Sequence, residues 1–292
     1  MYERILLALD AQRVAAAAVP VVAALAGAPD AEVLVVHVRD IERELRTRYE
    51  AQQLVDRTVG RLRAAGVRAR GEARSVAAGD VATDLLDSAR WFRADLIVLG
   101  SHGRGELGGL LLGSVGQRVA AGTDAAVVLV HGDPRERSRR WPTSIRRILL
   151  AVDRSEREEA AIRAALGLCR QHGASVSIVH VHPAYELPSS ARDHVAGIAG
   201  RFHRAGAGAS AVSPAAGFDG VPVQIADLAE RTGADLIVIG SRRRGGLAAV
   251  LLGSTARALV RVTARPVLLA ETETRETRQP AAWRPPAAVE AQ

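Results

Sequence analysis

At 292 residues the chain is long enough for two domains, since domains commonly hold roughly 100 to 200 residues. Aromatic residues make up 3% of it, so Ala, Val, Leu and Ile must build the cores. The formal net charge of +7 includes a cluster of six arginines and one glutamate between Arg135 and Arg147. A charge cluster confined to a connecting stretch, with Trp141 as its single aromatic residue, is not typical of a nucleic-acid interface. We therefore expect no DNA or RNA partner.

The single cysteine and the amino-terminal apolar segment bear on where the protein works. Cys169 has no partner for a disulfide within the chain and lies in an apolar helical pattern, which indicates a reducing compartment and a core position. The apolar segment from Val14 to Ala28 is shorter than the ~20 residues of a membrane span, and Pro20 interrupts it. We therefore expect a soluble, cytoplasmic protein without a membrane partner.

The first half of the chain alternates strand and helix patterns. Apolar runs predict strands near residues 3–9, 32–38, 67–73, 95–100 and 125–130. These runs are nearly continuous, which is typical of parallel strands that are covered by helices on both faces. Apolar residues at helical spacing predict one amphipathic helix between residues 41 and 62, with Ile41, Leu45, Val55, Val59 and Leu62 on its core face. The order of the elements predicts a doubly wound α/β fold.

A glycine-rich segment follows the fourth predicted strand. It reads GSHGRGELGGLLLGS, and Gly100, Gly103, Gly113 and Ser114 give the spacing glycine, two residues, glycine, nine residues, glycine, serine. Glycine at the carboxyl end of a strand permits a sharp turn or the close approach of a polar group. The helical segment that begins after Gly113 has unpaired N–H groups in its first turn, and these suit a phosphate.

Two common phosphate loops fit this segment poorly. A Walker loop needs a lysine before its Ser or Thr, and the chain contains no lysine. The dinucleotide fingerprint places its glycines after the first strand, whereas this segment follows the fourth. The missing lysine also argues against an adenylate-forming or phosphotransfer enzyme. His102 lacks an evident nucleophile and orienting acid, so we assign no catalytic residues.

The second half of the chain repeats the first. The segment from Gly240 to Ser254 reads GSRRRGGLAAVLLGS and matches the first glycine-rich segment with an offset of 240 − 100 = 140 residues. The aspartate after the first strand recurs with an offset of 153 − 10 = 143. We predict domains at residues 1–132 and 145–271, a linker at 133–144 and a disordered tail at 272–292.

The Asp-Leu-Ile-Val strand and the glycine spacing resemble the ATP-binding branch of the universal stress protein family, from about Arg4 to Ala270. The resemblance implies two tandem Rossmann-like domains, each with a five-stranded parallel sheet of order 3-2-1-4-5. It also implies a regulatory, stress-response protein that binds ATP, with or without Mg²⁺, and turns it over slowly or not at all. Pairing through the last strands would make an intramolecular pseudo-dimer, and a homodimer of whole chains is the alternative. Any protein partner is unknown.

The resemblance also implies nucleotide-binding residues in each half. In the first half they are Asp10, Val38, Gly100, Gly103, Gly113 and Ser114. In the second half they are Asp153, Val181, Gly240, Gly253 and Ser254. Arg243 stands where the second glycine of that loop should be, so the second site is the weaker candidate. Other interpretations stay open, because the aspartates and Ser114 suit helix caps and the valines suit core packing.

Three further interpretations concern a competing function, a metal site and a helix cap. A nucleotide-independent tandem scaffold that binds protein partners is the competing function, favoured by Arg243 and disfavoured by the intact first segment. His180 and His182 share one strand face, but no cysteine or carboxylate cluster accompanies them, so we expect no metal site. Ser155 and Glu158 have the spacing of a capping box, and we interpret them as a helix cap.

Overall fold

A computed structural model of the protein describes residues 2–9, 15–27, 30–42, 47–76, 80–102, 113–132, 143–240 and 253–270. The first half contains β1 (Arg4–Leu9), α1 (Ala15–Leu25), β2 (Glu32–Asp40), α2 (Arg48–Ala64), β3 (Arg68–Val76), α3 (Val81–Phe92), β4 (Leu96–His102), α4 (Ser114–Gly122) and β5 (Ala126–Gly132). The second contains β6 (Arg147–Ala151), α5 (Glu158–His172), β7 (Ser175–Val179), α6 (Pro188–Arg204), β8 (Ala209–Val212), α7 (Gly220–Thr232), β9 (Leu236–Gly240), α8 (Ser254–Val262) and β10 (Val267–Ala270). Most of the predicted linker and the whole predicted tail lie outside the described residues, and the domain boundaries stay a prediction.

The strands of the described residues form one sheet in the order β3-β2-β1-β4-β5-β10-β9-β6-β7-β8. Within each half neighbouring strands are parallel and their order is 3-2-1-4-5, as predicted. The two halves meet where β5 and β10 pair antiparallel, with Val128 opposite Leu268. Both of these side chains are fully buried. The pairing of the last strands within one chain is thereby confirmed.

Helices cover both faces of the sheet, which explains the continuous apolar runs in the sequence. Ile5 and Leu7 point into a core that includes residues of α1, α2, α5 and α6. Leu6 and Ala8 point the other way, into a core with residues of α3, α4, α7 and α8. Each core contains residues of both halves, so the apolar layers are continuous across the join.

A second contact joins the halves at the ends of α1 and α5. The Gln171 side chain donates from Nε2 to the carbonyl oxygen of Leu25 over 3.2 Å. A Cβ atom at Gly27 would lie 2.8 Å from Cε1 of His172, so glycine permits this close approach. Equivalent helices of the two repeats therefore pack end against end on the same face of the sheet.

Helix α2 begins later than the apolar spacing predicts. Its N-cap is Thr47, whose Oγ1 accepts from the Glu50 N–H over 3.2 Å, and the Glu50 carboxylate accepts from the Thr47 N–H over 2.7 Å. This reciprocal capping box stops the helix from extending back to Ile41, which is exposed rather than in the core. Leu45 lies outside the described residues. The other predicted core positions, Val55, Val59 and Leu62, are buried.

The aspartate that opens the fourth strand of each half has a structural role. Asp95 accepts hydrogen bonds from the backbone N–H groups of Glu3 (2.8 Å) and Arg4 (3.1 Å). Asp235 does the same for Arg146 (2.8 Å) and Arg147 (2.9 Å). Each carboxylate thus holds the beginning of the neighbouring first strand. It does so at the amino edge of the sheet, away from the glycine-rich segments.

We expect Asp235→Ala to lower the free energy of unfolding by about 1–3 kcal/mol, because it leaves two backbone N–H groups without their acceptor. Urea denaturation would measure this loss. The matched control is Asp193→Ala, which removes an exposed carboxylate from α6 and should change stability by no more than about 0.5 kcal/mol. Equal effects of the two variants would contradict the role assigned to Asp235.

Candidate functional site

The candidate sites lie where the winding of each half reverses, between β1 and β4 and between β6 and β9. Ligands of open parallel sheets bind outside the carboxyl ends of the strands at such a reversal. Gly100 lies in β4 near its end, and Gly240 is the last residue of β9. Asp10 and Gly103 lie outside the described residues, as does Arg243. The described parts of both sites therefore centre on the strand ends and on the helices that follow the glycine-rich segments.

Helix α4 begins at Ser114 with an open amino terminus. Its N-cap is Gly113, with φ −57° and ψ 161°, and no side chain caps the helix. This contradicts the interpretation of Ser114 as the N-cap, because Ser114 is already the first helical residue. Among the described residues, which resume at Gly113 after residue 102, a Cβ atom at Gly113 would meet nothing within 4 Å. These residues therefore leave the first-turn N–H groups of α4 accessible to an approaching group.

Helix α8 repeats this arrangement in the second half. Its N-cap is Gly253, with φ −53° and ψ 147°, and again no side chain caps it. Ser254 is its first residue and is exposed, like Ser114. The local geometry that suits an anion is therefore present in both halves.

Gly240 serves the packing of the protein itself. A Cβ atom there would lie 2.8 Å from the carbonyl oxygen of Arg157 and 3.0 Å from its Cβ atom. Glycine thus lets the beginning of α5 lie directly against the end of β9. This packing accounts for Gly240 without a ligand.

Val38 and Val181 belong to the core. Their exposed fractions are 7% and 8%, and both pack in the apolar cluster that contains Ala8 and Ala151. The core-packing interpretation of these side chains is therefore the one that the structure supports. Contact with a ligand at these positions would have to use the backbone.

Asp153 closes a turn after β6. Its Oδ1 accepts from the N–H of Ser155 over 3.1 Å and from the Ser155 hydroxyl over 2.5 Å. Between them Arg154 has a positive φ of 58°. Helix α5 begins only at Glu158, and no side chain caps it, so the predicted Ser155–Glu158 capping box does not form. The Glu158 carboxylate accepts instead from the Arg154 N–H over 2.9 Å.

A buried histidine supports the end of the first strand in each half. His37 lies 3.0 Å through Nδ1 from the carbonyl oxygen of Leu9, and His180 lies 3.1 Å from that of Val152. These carbonyl groups belong to the residues just before Asp10 and Asp153. With Nδ1 protonated, each histidine donates a hydrogen bond that fixes the backbone leading into the candidate site. Sequence reasoning missed this role, although the repetition of the histidine at equivalent positions was a signal for it.

The second half adds a charged network around His180. Its Nε2 lies 2.9 Å from Oε2 of Glu186, and Arg154 donates from Nη1 to Oε1 of the same carboxylate over 2.8 Å. The bond to His180 is the main cause of the lowered pKa of Glu186. On the other side, Nε2 of His194 lies 3.0 Å from the Glu158 carboxylate. These contacts fasten the turn after β6 to helix α6.

An ion pair that sequence reasoning also missed connects α3 and α4. Asp80 caps α3 by accepting from the N–H of Ala82 over 3.1 Å. The Arg118 guanidinium, one turn into α4, forms a two-point ion pair with the same carboxylate. Arg118 holds the pKa of Asp80 well below its usual range, at about 2. The equivalent residue in α8, at the offset of 140, is Ala258. The two helices with open amino termini are thus anchored differently.

Cys169 has no role in the candidate site. Burial raises the pKa of the Cys169 thiol to about 11, so this residue is an inert member of the core.

Among the described residues no group of three or more His, Cys, Asp or Glu side chains is placed to hold a metal ion. His182 faces the carbonyl oxygen of Pro183 through Nδ1 at 3.2 Å. Within the same part of the chain, every helix is too short or too polar to cross a membrane.

The model of the universal stress protein family matches residues 1–131 and 144–271. The chain belongs to the universal stress protein family. A universal stress protein of Mycolicibacterium smegmatis is 28% identical over 210 residues, which cover 65% of each chain. The match thus spans slightly less than two thirds of that relative. A shorter one from Thermus aquaticus, named for its place beside a QAH/OAS sulfhydrylase, is 35% identical over 143 residues, 44% of this chain and 99% of its own.

The tandem fold also has a solved counterpart. The crystal structure of a universal stress protein from Archaeoglobus fulgidus covers 92% of this chain and 98% of its own, with a TM-score of 0.72 and 21% sequence identity. At that identity the likeness supports the fold alone. This universal stress protein therefore has two tandem α/β domains, as the repeat predicts.

We expect His180→Leu to lower the free energy of unfolding by about 1–3 kcal/mol, because the buried Val152 carbonyl loses its partner while Arg154 still contacts the Glu186 carboxylate. Urea denaturation would measure the loss. The control is His203→Leu, which removes an exposed ring whose Nε2 lies 3.0 Å from the carbonyl oxygen of Ala209. A similar cost for both variants would show that His180 has no special role at the end of β6.

The Asp80–Arg118 pair predicts a pH dependence. Its carboxyl pKa is lower in the folded state than the ordinary value of 3.8, so the stabilisation is complete above that value and is lost as the pH falls towards 2. We expect Arg118→Ala to cost about 1 kcal/mol or less at pH 6, since both side chains are partly exposed, and nothing near pH 2. Thermal unfolding of the parent protein and of Arg118→Ala between pH 6 and pH 2 would show whether their stabilities converge as the pH falls. Arg90→Ala, which removes the exposed Arg90–Asp87 pair within α3, is the control for a general charge effect.

Proposed function

We propose that this universal stress protein binds an adenine nucleotide, ATP, at the carboxyl edge of its first half and works as a regulatory protein without rapid turnover. The observation that carries the proposal is the uncapped amino terminus of α4, where no described residue lies within 4 Å of a Cβ position at Gly113. A helix amino terminus at a strand reversal attracts phosphate through its N–H groups and its dipole. The complete glycine spacing from Gly100 to Ser114 supports the same assignment.

The remaining parts of the site have supporting roles in this proposal. The phosphates lie at Gly113 and Ser114, with Gly100 and Gly103 lining the segment and Asp10 near the nucleoside. Val38 contacts the base through its backbone, because its side chain is in the core. Mg²⁺ accompanies the phosphates if the bound form requires charge neutralisation. The lone buried cysteine fits a cytoplasmic setting.

The first site is proposed to bind more tightly than the second. Asp153, Val181, Gly240, Gly253 and Ser254 supply the equivalent positions of the second half. There Arg243 replaces the glycine that Gly103 supplies in the first, and a side chain at a position that demands a glycine conformation costs of order 1–3 kcal/mol. The helix α8 also lacks the ion pair that anchors α4, since Ala258 replaces Arg118. Both differences favour the first half.

Gly113→Val tests the first site directly. The backbone angles at Gly113 are accessible to valine and its Cβ atom would meet no atom of the described residues, so the variant should fold. The branched side chain would occupy the space in front of the N–H groups. We expect ATP to bind about tenfold more weakly or worse, which corresponds to the loss of a hydrogen bond to a charged group. Calorimetry with ATP, with and without magnesium, would measure the change, and circular dichroism would verify the fold.

Gly253→Val is the matched variant in the second half. Because the first site dominates in this proposal, we expect the affinity of the tighter ATP site to change less than about twofold. A loss with Gly253→Val and none with Gly113→Val would reverse the ranking. Absence of ATP binding by the parent protein, together with no adenine nucleotide carried through purification, would favour the nucleotide-independent scaffold.

A further inference from the structure

Two aromatic side chains of the second half are fully exposed to solvent. Phe218 and Tyr185 have relative exposures of 112% and 91%, and Leu187 beside Tyr185 has 71%. The chain has only three phenylalanines and three tyrosines, and its other two phenylalanines, Phe92 and Phe202, are buried. We name Tyr185, Leu187 and Phe218 the aromatic patch. An exposed apolar cluster in a chain this poor in aromatic residues indicates a contact surface.

The backbone brings the members of the patch together. His182 and Ala215 form a parallel bridge beyond β7 and β8, and the Ala216 N–H donates to the His182 carbonyl over 2.8 Å. Tyr185 and Phe218 each lie three residues after this bridge. Each lies in a tight turn, closed by the hydrogen bonds Glu186 N–H to Pro183 O (3.0 Å) and Gly220 N–H to Gly217 O (3.1 Å). Two neighbouring turns at the carboxyl edge of the second half thus carry the aromatic rings.

The sequence of the first half carries no aromatic residue at the positions equivalent to Tyr185 and Leu187. At the offset of 143, Glu42 and Glu44 correspond to Tyr185 and Leu187. The segment after β3, residues 77–80, contains no aromatic residue. Because the two halves share the same fold, the fold does not need these side chains. We therefore attribute the aromatic patch to a contact that the second half alone makes.

The carboxyl-terminal segment of the chain leaves the sheet at the same edge. Strand β10 ends at Ala270 and runs parallel to β9, and through β9 and β6 parallel to β7 and β8. From β10 to β7 is three strand spacings, about 14 Å. Residues 271–279 can span about 30 Å when extended, so the chain that follows them reaches the patch.

The chemistry of that segment complements the patch. It reads Pro-Ala-Ala-Trp-Arg-Pro-Pro-Ala-Ala-Val from Pro280 to Val289. Proline-rich segments adopt an extended polyproline helix that docks on exposed aromatic side chains at low entropic cost. Trp283 supplies a large apolar surface for the same contact. Since the segment is covalently attached close by, even a weak contact is populated at the high effective concentration of a tether.

We infer that Pro280 to Val289 dock in cis on the aromatic patch formed by Tyr185, Leu187 and Phe218. This inference does not depend on nucleotide binding.

Fluorescence of Trp283 tests the docking in the full-length chain. Trp91→Phe and Trp141→Phe leave Trp283 as the only tryptophan. We expect blue-shifted emission and acrylamide quenching roughly twofold weaker than for a peptide of residues 275–292, because one face of the indole is covered. Adding Tyr185→Ser and Phe218→Ser should return both signals to the peptide values. Both side chains are fully exposed, so the fold should persist, which circular dichroism would verify.

Tyr49→Ser is the matched control, since Tyr49 is a largely exposed aromatic residue in the first half. It should leave the Trp283 signal unchanged. Peptide-like quenching in the parent, or an equal effect of Tyr49→Ser, would overturn the inference. So would a signal that changes on dilution, because that would assign the contact to a second copy of the chain.

Discussion

The antiparallel contact between β5 and β10 determines the arrangement of everything else in the molecule. Each half is a parallel sheet, so all of its strands end at one edge. Because the two sheets join antiparallel, the carboxyl edge of one half lies at the amino edge of the other. The two candidate sites therefore lie at opposite edges of one sheet. Any coupling between them would have to pass through the buried strands.

The same contact explains why equivalent helices share a face. A two-fold rotation that relates two antiparallel neighbours in one sheet exchanges the halves without exchanging the faces. Accordingly, α1 and α5 cover the same face, and their ends meet at Gly27 and Gln171. Burying the edges of β5 and β10 against each other also removes two exposed sheet edges that would otherwise favour association between chains.

The sequence was most informative where local pattern and tertiary position agree. The parallel strands, the strand order and the repeat follow from apolar runs and from the resemblance, because strands buried on both faces leave an unambiguous pattern. Helix termini were less predictable. Ile41 continued the helical spacing, but the Thr47–Glu50 capping box ended the helix first. Ser114 and Ser155 had the spacing of capping residues, yet Ser114 is already the first residue of α4, and α5 begins only at Glu158.

The candidate site shows a further limit, because several of its supports join residues far apart in the chain. The histidines that hold the ends of β1 and β6 bind carbonyl groups 28 residues away. The Asp80–Arg118 pair spans 38 residues. The packing of the helices on the sheet determines which residues become partners. The repetition of residue types along the sequence does not specify that packing. The glycines of one motif likewise have different roles that spacing cannot separate.

Gly240 makes room for the backbone of Arg157, whereas no described residue occupies the space beside Gly113. The distinction bears on how the two halves diverged. A glycine demanded by packing must persist whether or not a ligand binds, and Gly240 persists in the half whose loop carries Arg243. The glycine before the uncapped helix is present in both halves, as Gly113 and Gly253, so the halves differ in the loop that precedes it. Since the sites lie at opposite edges of the sheet, a change in the second loop does not disturb the first. The architecture therefore allows one half to change its binding surface while the other keeps its own.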